Sequence, residues 1–361
     1  MRLGVAAALV DGALLPGDVT LEDGIVTGLG LERRASAAGI AAPGFVDLQV
    51  NGFAGVDLQT ADAAGFDAVG EALLRAGTTA YLPTFVTAPE AQLTAALRSL
   101  PGRAAGARIL GAHLEGPFIA ETRLGAHDRA GRRDPDAALL GRLLDAGPVR
   151  RMTLAPELPG AAVLIAALRA RGVAVSCGHS EASSAAAQAA FDAGARSVTH
   201  LFNAMPKQGG LAAAALARAD VTVQVIVDGR HVGPDLVLRA WRHAAGRFAL
   251  VSDAVAAAGM GDGEFRLGGA HIHARDGVVR RADGVLAGST LTLRDAVVNL
   301  CALGVSPAQA LSAATAVPAR LAGVPELGRL VVGEPADVLV LDDRLEVVRV
   351  LPASASRIAN E

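Results

Sequence analysis

Cysteine is almost absent: the 361-residue chain has two, Cys177 and Cys301. Both sit in apolar surroundings, Val-Ser-Cys-Gly and Leu-Cys-Ala-Leu, so buried reduced thiols and a cytoplasmic protein are expected rather than a disulfide framework. Aromatics amount to 3%, too few for a platform on which bases stack. Neither sign of charge dominates, because 33 Lys and Arg stand against 36 Asp and Glu, a net −3; no global field would recruit nucleic acid or an anionic membrane. The apolar start, Met1 to Val10, is interrupted at Asp11 and is too short to span a bilayer. No Gly-x-Gly-x-x-Gly opens a first helix and no Walker loop occurs, which argues against an open nucleotide-binding sheet.

What is present is a hydrophobic chain, 52% apolar and 19% charged, long enough for a large barrel and a smaller companion. Residues 3–42 alternate short apolar runs with the turns Asp11-Gly12, Pro16-Gly17 and Asp23-Gly24, the pattern of small antiparallel strands. Val338–Leu341 and Val347–Val350 repeat it near the C-terminus. We expect a small β-sandwich from residues 1–43 and 327–361, since isolated strands are unstable. Between them, residues 44–326 change period. Apolar runs at Gly44–Val50, Thr79–Phe85, Ile109–Glu115, Arg151–Leu154, Val173–Cys177, Ser197–His200, Val221–Val227 and Phe248–Ser252 alternate with Ala- and Leu-rich helical stretches. Eight such units predict an α/β fold, a (β/α)8 TIM barrel. A β-hairpin insertion is expected near 266–285, where Asp276-Gly277 and Asp283-Gly284 separate short runs.

In such barrels reactive side chains stand at the C-terminal ends of strands. His113 and Glu115 end the third run, His179 follows the fifth, His200 ends the sixth, Asp228 and His231 follow the seventh, and Asp253 follows the eighth. A carboxylate at the tip of an apolar strand needs a compensating partner. Glu115, His179 and His200 make a suitable shell for a zinc-class ion, which takes O and N ligands at about 2.0–2.2 Å and lowers the pKa of its water toward about 7. Asp253 then takes the water's proton and returns it to a leaving group, which is hydrolysis. A second ion would call for two histidines on the first strand; Gln49 and Asn51 stand there instead, so one divalent metal is expected, Zn2+ first and Fe2+, Mn2+ or Co2+ as alternatives. His127, in a polar loop, reads equally as a substrate contact or a structural residue. Asn203 would orient a substrate hydroxyl or cap the next helix. Ser289 or Thr290 is expected to cap a helix, with Gly288 approaching the site. Glu157 and the pair His271 and His273 read as structural or surface residues.

These residues carry a resemblance over nearly the full length. Pro43-Gly44-Phe45-Val46-Asp47-Leu48-Gln49-Val50-Asn51-Gly52, His113-Leu114-Glu115-Gly116-Pro117, Gly178-His179-Ser180, Thr199-His200-Leu201-Phe202-Asn203-Ala204-Met205-Pro206, Asp228-Gly229-Arg230-His231-Val232, Ser252-Asp253-Ala254 and Leu286-Ala287-Gly288-Ser289-Thr290 occur in order. Together they are specific, and the chain resembles the amidohydrolase superfamily, within it the N-acetylglucosamine-6-phosphate deacetylases. The resemblance implies one metal at Glu115, His179 and His200, Asp253 as acid/base, and His127 polarising the amide carbonyl. It implies substrate contacts at Ala126, His127, Asn203, Ala204, His231, Leu286, Ala287 and Gly288, products acetate and glucosamine 6-phosphate, and a homodimer. One departure stands out. Relatives carry a longer loop with a phosphate-reading arginine after Met205-Pro206, whereas here Lys207-Gln208-Gly209-Gly210 runs straight into Leu211. Lys207 and Arg230 become the candidate phosphate contacts; the alternatives are a different or unphosphorylated N-acyl amino sugar, or a non-catalytic sugar binder.

Overall fold

The computed structural model describes residues 1–353, so the end of the expected terminal segment, 354–361, lies outside them. Eight parallel strands run round a nearly closed barrel: β1 (Phe45–Val50), β2 (Thr78–Val86), β3 (Ala112–Glu115), β4 (Val149–Leu154), β5 (Ala174–Cys177), β6 (Ser197–Val198), β7 (Thr222–Val225) and β8 (Phe248–Leu250). Each pairs in parallel with the next. β1 and β2 are buried at every position, as strands covered on both faces must be, which is why they read as continuous apolar runs. No ladder joins β8 to β1. That seam is closed just beyond β8 instead, where Ser252 N donates to Asp47 Oδ1 (3.3 Å), Ser252 Oγ donates to Gln49 O (3.3 Å), and Asn51 N donates to Ala254 O (2.7 Å).

The crossover helices are α1 (Ala63–Arg75), α2 (Glu90–Ser99), α3 (Ala137–Ala146), α4 (Ala161–Ala170), α5 (Ser184–Ala193), α6 (Gly210–Ala217), α7 (Pro234–Ala244) and α8 (Leu293–Ala302). Side chains start several of them: Asp62, Asp136 and Ser183 accept backbone N–H bonds of α1, α3 and α5, satisfying donors that a helix leaves free. Thr292, and not Ser289 or Thr290, caps α8 by accepting from Asp295 N. The hydroxyl of Ser289 is engaged elsewhere, donating to Ser252 O. Two further helices, α9 (Pro307–Ala314) and α10 (Ala316–Leu321), follow α8 in a stretch where no helix was expected. No helix among the described residues is long and apolar enough to cross a membrane.

Ala7–Val10, Ala13–Pro16, Ile40–Pro43, Val338–Leu341 and Val347–Leu351 form a five-stranded sheet, next to a hairpin of Asp18–Glu22 and Ile25–Leu31. Their apolar side chains, Val5, Val19, Val26 and Val338 among them, make a cluster separate from the barrel core. The expectation of antiparallel strands throughout fails at one pair, because Ala7–Val10 runs parallel to Ile40–Pro43. The intervening hairpin supplies the crossover that parallel pairing requires. The insertion is also larger than a hairpin. It is a four-stranded antiparallel sheet, β9 (Gly263–Leu267), β10 (Ala270–Arg275), β11 (Val278–Arg281) and β12 (Leu286–Ser289), and Leu267, Ile272, Ala274, Val279 and Ala287 pack from it against Val86, Val255 and Ala257 of the barrel. His271 and His273 are exposed on β10.

Candidate active site

The C-terminal strand ends open into a cleft of about 250 Å³, lined by residues that include Glu115, His127, His179, His200, Asn203, His231 and Asp253. That size lies just below the roughly 300–1,000 Å³ of drug-sized ligand sites and suits a small ligand. β3 delivers Glu115, and the turns after β5, β6 and β8 deliver His179, His200 and Asp253. These last three hold left-handed backbone, φ 50°, 29° and 50°, a conformation that costs non-glycine residues about 1–3 kcal/mol. The chain leaves each strand abruptly there and turns its side chain into the cleft.

Glu115, His179 and His200 meet. Glu115 Oε1 lies 3.2 Å from His179 Nε2 and 2.9 Å from His200 Nε2, and the two Nε2 atoms are 3.1 Å apart. His179 Nδ1 is 2.8 Å from the carbonyl of Arg123; a carbonyl only accepts, so the ring proton sits on Nδ1 and Nε2 presents a bare lone pair. Three donors thus converge within 4.8 Å of one another. With His179 Nε2 a bare lone pair, at most one proton, on His200 Nε2, is shared among these three inward-facing atoms, whereas a divalent cation serves all three as ligands. The residues therefore fit a metal ion. Burial alone would raise the Glu115 carboxyl, but bonds from His127, His179 and His200 hold it well below the usual range. Burial likewise disfavours charge on His200, and the Glu115 carboxylate outweighs it and raises that imidazole.

His127 stacks over His179, ring centroids 4.3 Å apart. Its Nδ1 accepts from Thr87 N at 3.2 Å, and a backbone N–H only donates, so the neutral ring carries its proton on Nε2. Burial, then the neighbouring His179, lowers its pKa to about 4. It is therefore a neutral N–H donor inside the cleft, 3.5 Å from Glu115 Oε2. Asp253 accepts from Asn51 Nδ2 at 2.8 Å. Burial and then the charge of Glu115 raise Asp253 to about 6. His231 Nδ1 lies 2.7 Å from Asp228 Oδ2, and the other carboxylate oxygen, Oδ1, accepts from the backbone N–H groups of Arg230 and His231.

Of the residues expected to contact substrate, Ala126, Asn203, Ala204, Leu286 and Gly288 line the cleft and Ala287 does not. Alternation along β12 sends Ala287 into the core of the insertion, fully buried, and its neighbours toward the cavity. Asn203 donates to His200 O at 3.2 Å rather than capping a helix. Lys207 and Arg230 are exposed and lie outside the lining, Arg230 beside a separate depression with Asp228 and Asp276. No lysine or arginine is among the lining residues. His113 stays inside the barrel between the hydroxyls of Thr84 and Thr153, its pKa driven down to about 3 by burial. Glu157 braces the turn after β5 by accepting from Ser180 Oγ at 2.7 Å. Gln49 and Asn51 do more than take the place of histidines at the end of the first strand. Gln49 Nε2 donates to Glu115 Oε1 at 3.1 Å, so both amides serve the carboxylates of the cleft; their i, i+2 spacing at the end of β1 was the available signal.

The chain matches the amidohydrolase family over residues 40–358, and it belongs to that family. Within it the chain is 38% identical to the N-acetylgalactosamine-6-phosphate deacetylase of Escherichia coli O157:H7, covering 87% of this chain and 86% of that protein. It is 39% identical to the human N-acetylglucosamine-6-phosphate deacetylase, covering 88% and 83%. Among solved structures, a mutant N-acetyl-D-glucosamine-6-phosphate deacetylase from Mycobacterium smegmatis in complex with N-acetyl-D-glucosamine-6-phosphate superposes with a TM-score of 0.92 at 35% identity, over 98% of each chain. The enzyme from Thermotoga maritima gives 0.89 at 29%, again over 98% of each chain.

Proposed function

We propose that the protein hydrolyses the acetamide of N-acetyl-D-glucosamine 6-phosphate to D-glucosamine 6-phosphate and acetate. The observation that carries this reading is the convergence of Glu115, His179 and His200 beside Asp253 in one cleft, in a chain 39% identical to a deacetylase named for that substrate. Glu115, His179 and His200 are the residues that would hold one divalent ion, Zn2+ by the character of its ligands; when bound, such an ion acidifies water and polarises a carbonyl. The Asp253 carboxylate takes the proton of the attacking water. His127, neutral and protonated on Nε2, donates to the amide carbonyl oxygen as negative charge gathers there. Asp253 then hands its proton to the amide nitrogen; the C–N bond breaks, acetate keeps the water's oxygen, and the amine leaves. Asn203, Ala204, His231, Ala126, Leu286 and Gly288 form the sugar-binding wall.

The sugar phosphate asks for cations that the lining of a single chain lacks. We place the chain in a cytoplasmic homodimer, with Lys207 and Arg230 of its own rim, or the facing subunit, supplying that charge. A second reading is favoured by the Escherichia coli relative, whose name carries the galactose epimer. Acetate release from N-acetylglucosamine 6-phosphate, N-acetylgalactosamine 6-phosphate and unphosphorylated N-acetylglucosamine decides between them. The first is expected to give the highest kcat/KM, and preference for either of the others overturns the substrate assignment.

A further inference from the structure

We propose that Asp57 and Gln59 are positioning residues for the sugar-binding wall: they clasp the β9–β12 insertion to the barrel and so set the width of the cleft opposite the Glu115 triad. This deepens the deacetylase reading and rests on it for the identity of the substrate. The insertion supplies Leu267, Val285, Leu286 and Gly288 to the lining, yet Asp57 and Gln59 do not reach the cavity themselves. They act through their neighbours.

β9 and β10 are joined by Gly268-Gly269, both left-handed at φ 57° and 83°, the two-residue turn for which glycine is required. Asp57 Oδ2 accepts from Gly269 N at 2.9 Å, and Asp57 Oδ1 accepts from Gln59 N at 3.2 Å. Gln59 Oε1 in turn accepts from Val86 N at 2.8 Å. One chain of bonds therefore ties the insertion's turn to the end of β2, and Val86 and Leu267, at its two ends, both line the cleft. The turn is pressed against this clasp: a Cβ on Gly268 would fall 2.7 Å from Val86 Cγ2 and 3.4 Å from Gln59 Oε1. Asp57 is 8% exposed and is in no ion pair among the described residues, so amide donors hold its charge, with burial pushing the carboxyl up. β12 is bonded to the turn after β8, Ser289 N to Asp253 O and Val255 N to Ser289 O, and Arg281 reaches Ala126 O, whereas the β9–β10 end rests, apart from the clasp, on a small apolar cluster in which Val86, Val255 and Ala257 are the barrel's share. Elements with few buried contacts open locally at low cost. A wall built on such an element needs a latch to hold its register.

The test compares wild type, Asp57→Asn, Gln59→Leu and the double variant by steady-state acetate release, metal content, and hydrogen exchange of residues 263–289. Asp57→Asn turns one acceptor into a donor facing a backbone N–H, and Gln59→Leu cuts the link to Val86. Each is expected to raise KM about two- to tenfold, the worth of one such hydrogen bond, and to speed exchange in 263–289. Metal content and kcat should stay within about twofold, because binding alone has changed. The double variant should be no worse than the more severe single one. Unchanged KM and exchange in both single variants overturns the proposal. So does loss of kcat and metal in proportion to KM, or failure of either variant to fold, since the pair would then be holding the barrel and not the wall. Failure of the deacetylase reading shows separately, as absent acetate release by wild type, while exchange reports the clasp without substrate.

Discussion

Environment separates the two carboxylates of the cleft. Glu115 is held low by three imidazoles, while burial and the charge of Glu115 push Asp253 up to about 6. In the proposed mechanism this splitting suits the low one to hold a cation and the high one to carry a proton in either direction. A bound cation draws Asp253 downward, so it is anionic and able to accept at neutral pH. Asp253→Asn is expected to keep the metal and to lower kcat by about 10²–10⁴-fold; near-normal acetate release would remove Asp253 from the chemistry. Asp47 offers a stability test away from the metal triad. Burial raises its carboxyl from 3.8 to about 7 despite bonds from Ser252 and Gln49. The folded state therefore binds this proton more tightly than the unfolded chain. Its contribution is complete below pH 4 and is lost as pH rises through about 7. Asp47→Asn, which keeps an acceptor but does not titrate, should raise Tm relative to wild type at pH 8 and not at pH 4; an unchanged difference across that range contradicts the account.

At the scale of elements, the site depends on how β12 meets the turn after β8. Gly288 holds φ 67°, and a Cβ there would lie 2.4 Å from Val255 Cγ1 and 2.8 Å from the carbonyl of Asp253. Gly288→Val is expected to cost about 1–3 kcal/mol in stability through backbone strain and to depress kcat/KM by moving Asp253; wild-type values for both would show that the approach is not needed. The barrel strands were legible because burial on both faces leaves continuous apolar runs, and β1 and β2 are the clearest cases. β12 was not, since Leu286-Ala287-Gly288-Ser289 reads as a glycine loop until three preceding strands give it a partner. The parallel pairing of Ala7–Val10 was hidden likewise, because direction is set by the crossover and not by the strand's own residues. Glu115, His179, His200 and Asp253 were visible from their positions at strand ends. The positive φ angles that aim the last three were not, as nothing local in their sequence requires them.

For the whole molecule, the barrel brings Glu115, His179 and His200, far apart in sequence, to within 4.8 Å of one another, and the proposed deacetylation needs one ion held there. The barrel also explains why the first strand carries Gln49 and Asn51: their amides donate to Glu115 and Asp253, where imidazoles would have recruited a second cation. The most direct test is a titration of metal-stripped protein with Zn2+, followed by acetate release from N-acetylglucosamine 6-phosphate. Activity should rise from background and break at one equivalent per chain, with no rise for a Glu115→Gln variant. Full activity in the stripped protein, a break at two equivalents, or normal titration of the variant would contradict it.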